Sequence, residues 1–590
     1  FSESNELEMY SFRHKIMAVN DDKGVQMANR IFLPARDPQY LEELQARVIN
    51  KSGVVKVLTK DDMKQITEDD VEYLILAIEG LEAGSEIEYY YMLKRPLNYW
   101  GTETLQSSYF VRSSKLEIIT PLNLVTEAKI YNGTNSFSEK VEDDKRILSC
   151  SFDSIVPRYN EQYSANDANE LRAEFKLARN TAKGDKRFFT FDDAGERYWS
   201  VITTNDKDEI KEVKSLMKKL NIDNKTESGK ISAIEDYIKT NIQLVEQSDE
   251  DQLKVILKNK FGSETGIVRL YAAMLAQADI RFQLVLTCSR YERAFDKDFD
   301  SWIFLQNYLF YFPDIKQYLD PVAITYRLGL IPYIYEGNNG LFIAGVKLGD
   351  EVVPFSEVKK IEQASVSKSY DNMDCVVTFD KDFGKARVHQ VRSMNGHSAV
   401  GIRPYYFLSK EDDKKQIVNQ LVQLKGEETQ ITNVKVTNDS LTAENETKPF
   451  TIECDYSSAY LLEAAGDNYI LKIGEIIGPQ VEMYNEKPRV GNVLMEFCHS
   501  YIRNIKVIIP DGYEVKGADK TKMNIVIDEK NGTRLIGFTS DYKLTGNTLM
   551  VTVHEYYNTT EFKVAEFESF RKVINASADF NKVSVVLSKK

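Results

Sequence analysis

Five cysteines and five histidines are the residues of this 590-residue chain from which nucleophilic or metal chemistry would first be built. The cysteines are Cys150, Cys288, Cys375, Cys454 and Cys498. They are odd in number, widely spread and form no C-x-x-C pair, so they read neither as a disulfide scaffold nor as a zinc site. The histidines are His14, His389, His397, His499 and His554, and the stretch from about 205 to 345 holds none. A thiolate attacks an amide only because an imidazole takes its proton and returns it to the leaving amine. The central third therefore has no Cys–His mechanism of its own unless a histidine reaches in from a flanking region. Cys498 and His499 are adjacent in a strand pattern and point to opposite faces, so they are no dyad. His397, in SMNGHSA, reads as a loop residue, and His14, His389 and His554 as sheet residues. Cys288 shares a strand face with Phe282, Leu284 and Leu286 and reads as a buried structural thiol.

The other chemistry-bearing cluster is Asp296, Asp298 and Asp300. It imitates the first positions of a calcium loop, but Ser301 stands where glycine is needed and Asn307 where glutamate is needed. A solvated acidic loop is the expectation, and no metal or cofactor is called for.

The elements that must position such groups centre on Phe261 to Ile280. Ile267, Leu270, Tyr271, Met274 and Ala278 fall at helical spacing after Gly262-Ser263, which predicts a buried helix from Glu264. RFQLVLTCSRYE then predicts a strand, SWIFLQNYLFYFP a strand covered on both faces, and QYLDP a second strand closed by Pro321. Before this helix, Ile210, Val213, Leu216, Met217 and Leu220, and then Ile231, Ile234, Ile238 and Ile242, give two amphipathic helices. From Met9 to about Val201 the signals are β: short alternating runs such as VQMANRIFLP and EIEYYYMLKR separated by turn residues. Pro96, Tyr99, Trp100 and Gly101 read as an aromatic loop. After Gly337 the strands resume, interrupted by a helix holding Ile417, Val418 and Leu421 and a late helix holding Phe567, Phe570 and Ile574. Three domains follow: 1–202, a β-sandwich; 203–345, α+β; and 346–590, a second β-sandwich.

The totals agree with a globular, sheet-rich, multidomain chain: 42% apolar, 28% charged, 33 Tyr and 29 Phe. A net charge of −14 argues against nucleic acid and anionic membranes as partners, and no basic stripe large enough to reverse that is evident. No run approaches the roughly 18 apolar residues of a membrane helix. The chain starts at Phe1 and not at Met, which is compatible with a leader removed or left outside the sequence.

A Gly-initiated helix followed by these strands resembles the core of the bacterial transglutaminase-like superfamily, whose fold is shared with papain-like proteases. The resemblance implies a triad of Cys in the first helical turn, His in the first buried strand and Asp before Pro in the next. In this chain those positions hold Glu264, Asn307 and Asp320, so only the aspartate is retained. QARVINKSGVVKVL and LEAGSEIEYYY at one end, IIPDGYEV and FESFRKVI at the other, extend the likeness to three-domain envelope proteins with flanking domains of unknown function. That implies an Ig-like first domain, a papain-like core, a jelly-roll-like third domain, and export to the periplasm or outer cell surface, with a lipid anchor among the open possibilities. By resemblance Glu264 is anionic where the helix dipole once favoured a thiolate. Asn307 is expected to be buried and hydrogen-bonded to Asp320 or Glu264, since an unpaired buried amide costs on the order of 1–3 kcal/mol. The leading expectation is a catalytically inactive protein that binds a peptide, a glycan or an envelope partner protein. The alternatives are a hydrolase with an unconventional site, such as the Glu264/Asp320 carboxyl pair, and a structural assembly subunit.

Overall fold

A computed structural model describes residues 7–34, 38–68, 71–349, 351–422, 430–442, 447–484, 488–528 and 534–590. The chain forms two compact units, Phe1–Gly101 and Thr102–Lys590.

The first unit pairs a four-stranded antiparallel sheet, in the order 9–18, 86–95, 41–49, 55–59, with a three-stranded one, 30–33, 71–77, 63–68. Strict alternation explains the core. In Glu86–Arg95 every second residue from Ile87 to Leu93 points inward, and these meet Leu44, Val48, Leu74 and Leu76. One predicted strand is not one: VQMANRIFLP begins inside a helix, Asp22–Ala28, and only Arg30–Leu33 is extended. The cause is local, because the Asp21 carboxylate accepts from the Gly24 N–H and nucleates the turn.

In the second unit, short antiparallel sheets built from strands between 114 and 180 lead into a helical segment. The helix Phe191–Thr203 lies inside the stretch read as purely β. A capping box starts it, with Thr190 and Asp193 each accepting from the other's backbone N–H. Helices Lys207–Leu220, Glu227–Asn241 and Glu264–Gln277 follow as the periodicity predicts, with a further short helix, Leu253–Asn259, between the last two. They accompany a five-stranded antiparallel sheet ordered 317–319, 307–312, 283–287, 339–348, 351–360. The hairpin 339–360 and the helix Phe191–Thr203 belong to this layer. A side chain on Gly195 would come within 1.7 Å of the Ser356 hydroxyl, so only glycine permits the contact. The α+β layer thus draws on residues on both sides of the 203 and 345 edges read from sequence.

SWIFLQNYLFYFP also differs from expectation. Trp302–Phe304 is a short 3-10 turn and the strand begins at Asn307. Ser301 caps that turn by accepting from the Ile303 N–H, and the Trp302 indole donates to the Thr190 carbonyl.

The last part carries an eight-stranded sheet, ordered 430–437, 450–458, 386–395, 370–379, 499–508, 548–557, 534–545, 523–528. It is antiparallel except where 370–379 runs parallel to 499–508. A four-stranded sheet and the late helix Phe567–Asn581 share its core through Phe538, Phe570, Phe580 and Leu587. The protein is multidomain, β-rich and α+β, with several antiparallel sheets and a central helical segment.

Candidate functional site

The helix Glu264–Gln277 begins where the sequence places it. Ser263 caps it by accepting from the Gly266 N–H at 3.0 Å. Gly266 is required for packing, because a Cβ there would sit 2.5 Å from the Glu250 carbonyl oxygen. Leu270, Tyr271 and Met274 are fully buried, which fixes the helix against the sheet and leaves its first turn at the edge of the core.

Glu264 occupies that first turn and is half-buried. Asp320 follows the edge strand Gln317–Leu319 and is 3% exposed. The two are close enough to act on each other: burial pushes the Glu264 carboxyl up to about 7, and the charge of Asp320 adds to the push. Burial also raises Asp320, against the pull of Lys239 and of two backbone N–H groups. Those donors are Ala323 at 2.7 Å and Val322 at 2.9 Å, both bonding one carboxylate oxygen. The nearby lysine is already committed, since the Lys239 ammonium donates to Glu235 at 2.8 Å and to the Tyr326 carbonyl at 2.7 Å. Burial raises the Tyr335 phenol, and the nearby charges of Asp320 and Glu264 add to it. Burial pushes the Tyr308 phenol up to about 12, although the Thr265 hydroxyl beside it pulls the other way.

Two sequence expectations fail here. Glu264 is not a simple helix-terminal anion. Burial first, and then the charge of Asp320, push its carboxyl up to about 7. Asn307 pairs through its backbone with Thr287 on the neighbouring strand, but its side chain is only half-buried and makes none of the expected hydrogen bonds to Asp320 or Glu264. The backbone of Val322 and Ala323 takes the place foreseen for it.

The thiols and imidazoles are arranged for structure. All five cysteines are free and buried. Burial pushes the Cys288 thiol up to about 12; it donates to the Arg293 carbonyl at 3.7 Å, and Asn338 reaches the sulfur. Among the described residues no histidine bonds a cysteine. His14 meets Glu88 and His389 meets Asp455. Burial lowers His499 to about 4, while the Phe497 carbonyl bonds its ring nitrogen. His397 is not in an open loop. It starts the short helix His397–Val400, fully buried against Tyr326, Tyr333 and Phe497, with its Nε2 3.1 Å from Glu336. Sequence reasoning missed this buried pair, and its one signal was Gly396, whose φ of 57° turns the chain sharply before the histidine.

The acidic loop is also corrected. Asp296 bonds Lys129 and the Tyr131 hydroxyl, and Asp300 bonds Lys176 and Arg187. These carboxylates are anchors for the strands 124–131 and 172–180, because basic residues 100 or more positions earlier in the chain fold back over them. Among the described residues no cluster suited to a metal ion occurs.

Comparisons with known proteins fit this picture at the level of fold. Residues 6–159 match a domain of unknown function, DUF3857. No curated protein matches the chain. A solved structure described as "a putative protease" from Parabacteroides distasonis ATCC 8503 superposes with a TM-score of 0.59 at 13% identity, covering 98% of this chain and 96% of that one. The likeness extends over the full length of both chains, and at that identity it is a likeness of fold.

Proposed function

We propose that this chain is a non-catalytic, exported protein of transglutaminase-like architecture that uses the neighbourhood of Glu264 and Asp320 to bind a peptide, a glycan or an envelope partner protein. In this reading the first region is Ig-like, the α+β layer papain-like and the last region jelly-roll-like. The observation that carries it is the pairing of Glu264 with Asp320 at the head of the buried helix, where the resemblance puts a cysteine and its aspartate. Glutamate is a poor acyl acceptor, and Asn307 cannot shuttle a proton near neutral pH. The cysteine of this region, Cys288, holds its proton to about 12 and meets no histidine. The test is direct: purified protein should show no peptidase, amidase or acyl-transfer turnover, and a peptide and glycan array should give a ligand whose binding changes in Glu264→Ala. Robust turnover abolished by Cys288→Ala would end the proposal.

A second reading is favoured by one feature, the Glu264 carboxyl at about 7. A carboxylic acid kept protonated near neutral pH beside a second carboxyl is what general acid catalysis of glycoside hydrolysis requires. Hydrolysis of an aryl glycoside lost in both Glu264→Gln and Asp320→Asn would replace the binding reading with this one.

A further inference from the structure

The helix Lys207–Leu220 carries a feature that the acidic composition hides. Lys207, Lys211, Lys214 and Lys218 are all exposed and follow one another at spacings of four, three and four residues. At 3.6 residues per turn their side chains leave the helix within an arc of about 60° and form a row about 16 Å long. Between them lies a shallow hollow of about 390 Å³, floored by Ile210 and Ser215. Among the described residues none of the four makes an ion pair or a hydrogen bond, whereas Lys129, Lys176 and Lys239 each hold a carboxylate.

Helix stability does not explain this row. Each step along it sets two like charges three or four residues apart, which destabilises a helix. Lys207 is also in the first turn, where the macrodipole opposes a cation. The acids that would offset the row are placed elsewhere: Glu209 is turned inward to Arg269 and the Leu253 N–H, and Asp206 caps the helix. Asp208 and Glu212 are exposed on the flank.

We infer that this row is a docking track for a linear acidic polysaccharide, separate from the Glu264 site. A thin chain bearing one carboxylate or sulfate per sugar lies along the crest and meets only lysines. A planar anionic membrane would press against Asp208 and Glu212 as well. A single-stranded nucleic acid needs aromatic platforms for its bases, and none lines the hollow. A protein partner needs an apolar anchor pocket, and Ile210 alone does not make one.

The test is titration of the whole protein with an oligogalacturonate at low salt. Binding is expected, weakening linearly on a log–log plot against salt, and the quadruple variant K207Q/K211Q/K214Q/K218Q should lose on the order of tenfold in affinity together with most of the salt slope. Removing equal charge elsewhere, in K115Q/K140Q/K359Q/K516Q, should leave affinity unchanged, and circular dichroism should show both variants folded. The inference is overturned by absence of binding, by equal loss in the two variants, or by equal affinity for poly-glutamate, anionic vesicles or single-stranded DNA.

Discussion

Asp371 and Asp320 are both deeply buried in the second unit, at 7% and 3% exposure, yet their surroundings differ in sign. Burial by itself raises either carboxyl. Around Asp371 the charges of Arg503 and Arg392 outweigh it and hold the group below the usual carboxylate range. Arg392 grips Asp371 with two parallel bonds of 2.9 and 2.6 Å, in the fork geometry that makes such pairs strong. Around Asp320 no guanidinium does this. Lys239, the cation that pulls on it, is bonded to Glu235, backbone N–H groups satisfy one oxygen, the charge of Glu235 opposes ionisation, and Asp320 in turn raises Glu264. A buried carboxylate with a full set of cationic partners is a joint between strands. A buried pair of carboxyls without one is costly to keep, and it gives a ligand something to complete.

The contrast can be broken at its strong end first. Asp371→Asn leaves Arg392 and Arg503 without their charge partner, and urea denaturation should show a loss of about 3–5 kcal/mol, the usual cost of breaking a buried pair. A loss below about 1 kcal/mol would put Asp371 among ordinary surface pairs and remove the distinction. At the other end the sign reverses. The Glu264 carboxyl is raised from 4.5 to about 7 on folding, so it favours the fold fully below pH 4.5 and that contribution is lost as pH rises toward 7. Glu264→Gln should therefore flatten stability across this window and stabilise the protein at pH 8 by about 1–2 kcal/mol, allowing for the water that reaches a half-buried group. Destabilisation at pH 8 would mean that the glutamate is held by bonds the pairing with Asp320 does not describe.

Asp320→Asn sharpens the comparison more finely. Burial is the larger cause of the Glu264 shift and Asp320 the smaller, so the Glu264 titration followed by carbon NMR should move down by only a fraction of a pH unit. The smallest effect belongs to the thiols. With all five buried, a thiol reagent should find none in the native protein and all of them after unfolding. Rapid native labelling of Cys288 would reopen a cysteine mechanism.

Much of the fold was legible. The helix from Glu264, the strands around Leu284 and Phe310, and the late helix of Phe567 were carried by apolar periodicity, which depends on near neighbours alone. Two helices, Asp22–Ala28 and Phe191–Thr203, were missed because local caps, Asp21 for the first and the Thr190–Asp193 box for the second, outweighed a β-like composition. Of the site, the sequence placed Glu264 on a helix start and Asp320 at a strand exit, as found, but put Asn307 inside a strand running from Trp302, whereas that strand begins at Asn307. It misjudged their bonding. Whether Asn307 reaches Asp320, whether Asp296 and Asp300 face water, and whether His397 is buried depend on segments that meet from far apart in the chain.

Residue types alone determined that no Cys–His pair arises within the central stretch, because no imidazole is available there. They also determined the helix on which Glu264 stands, because its spacing and its Ser263 cap are local. Only the tertiary structure decided the state of the carboxyls. Burial and unpaired neighbouring charge set the free energy of ionisation, and both come from elements brought together by folding. The same holds for the lysines of Lys207–Leu220: their helical spacing is written in the sequence, but their lack of carboxylate partners is a property of the folded surface.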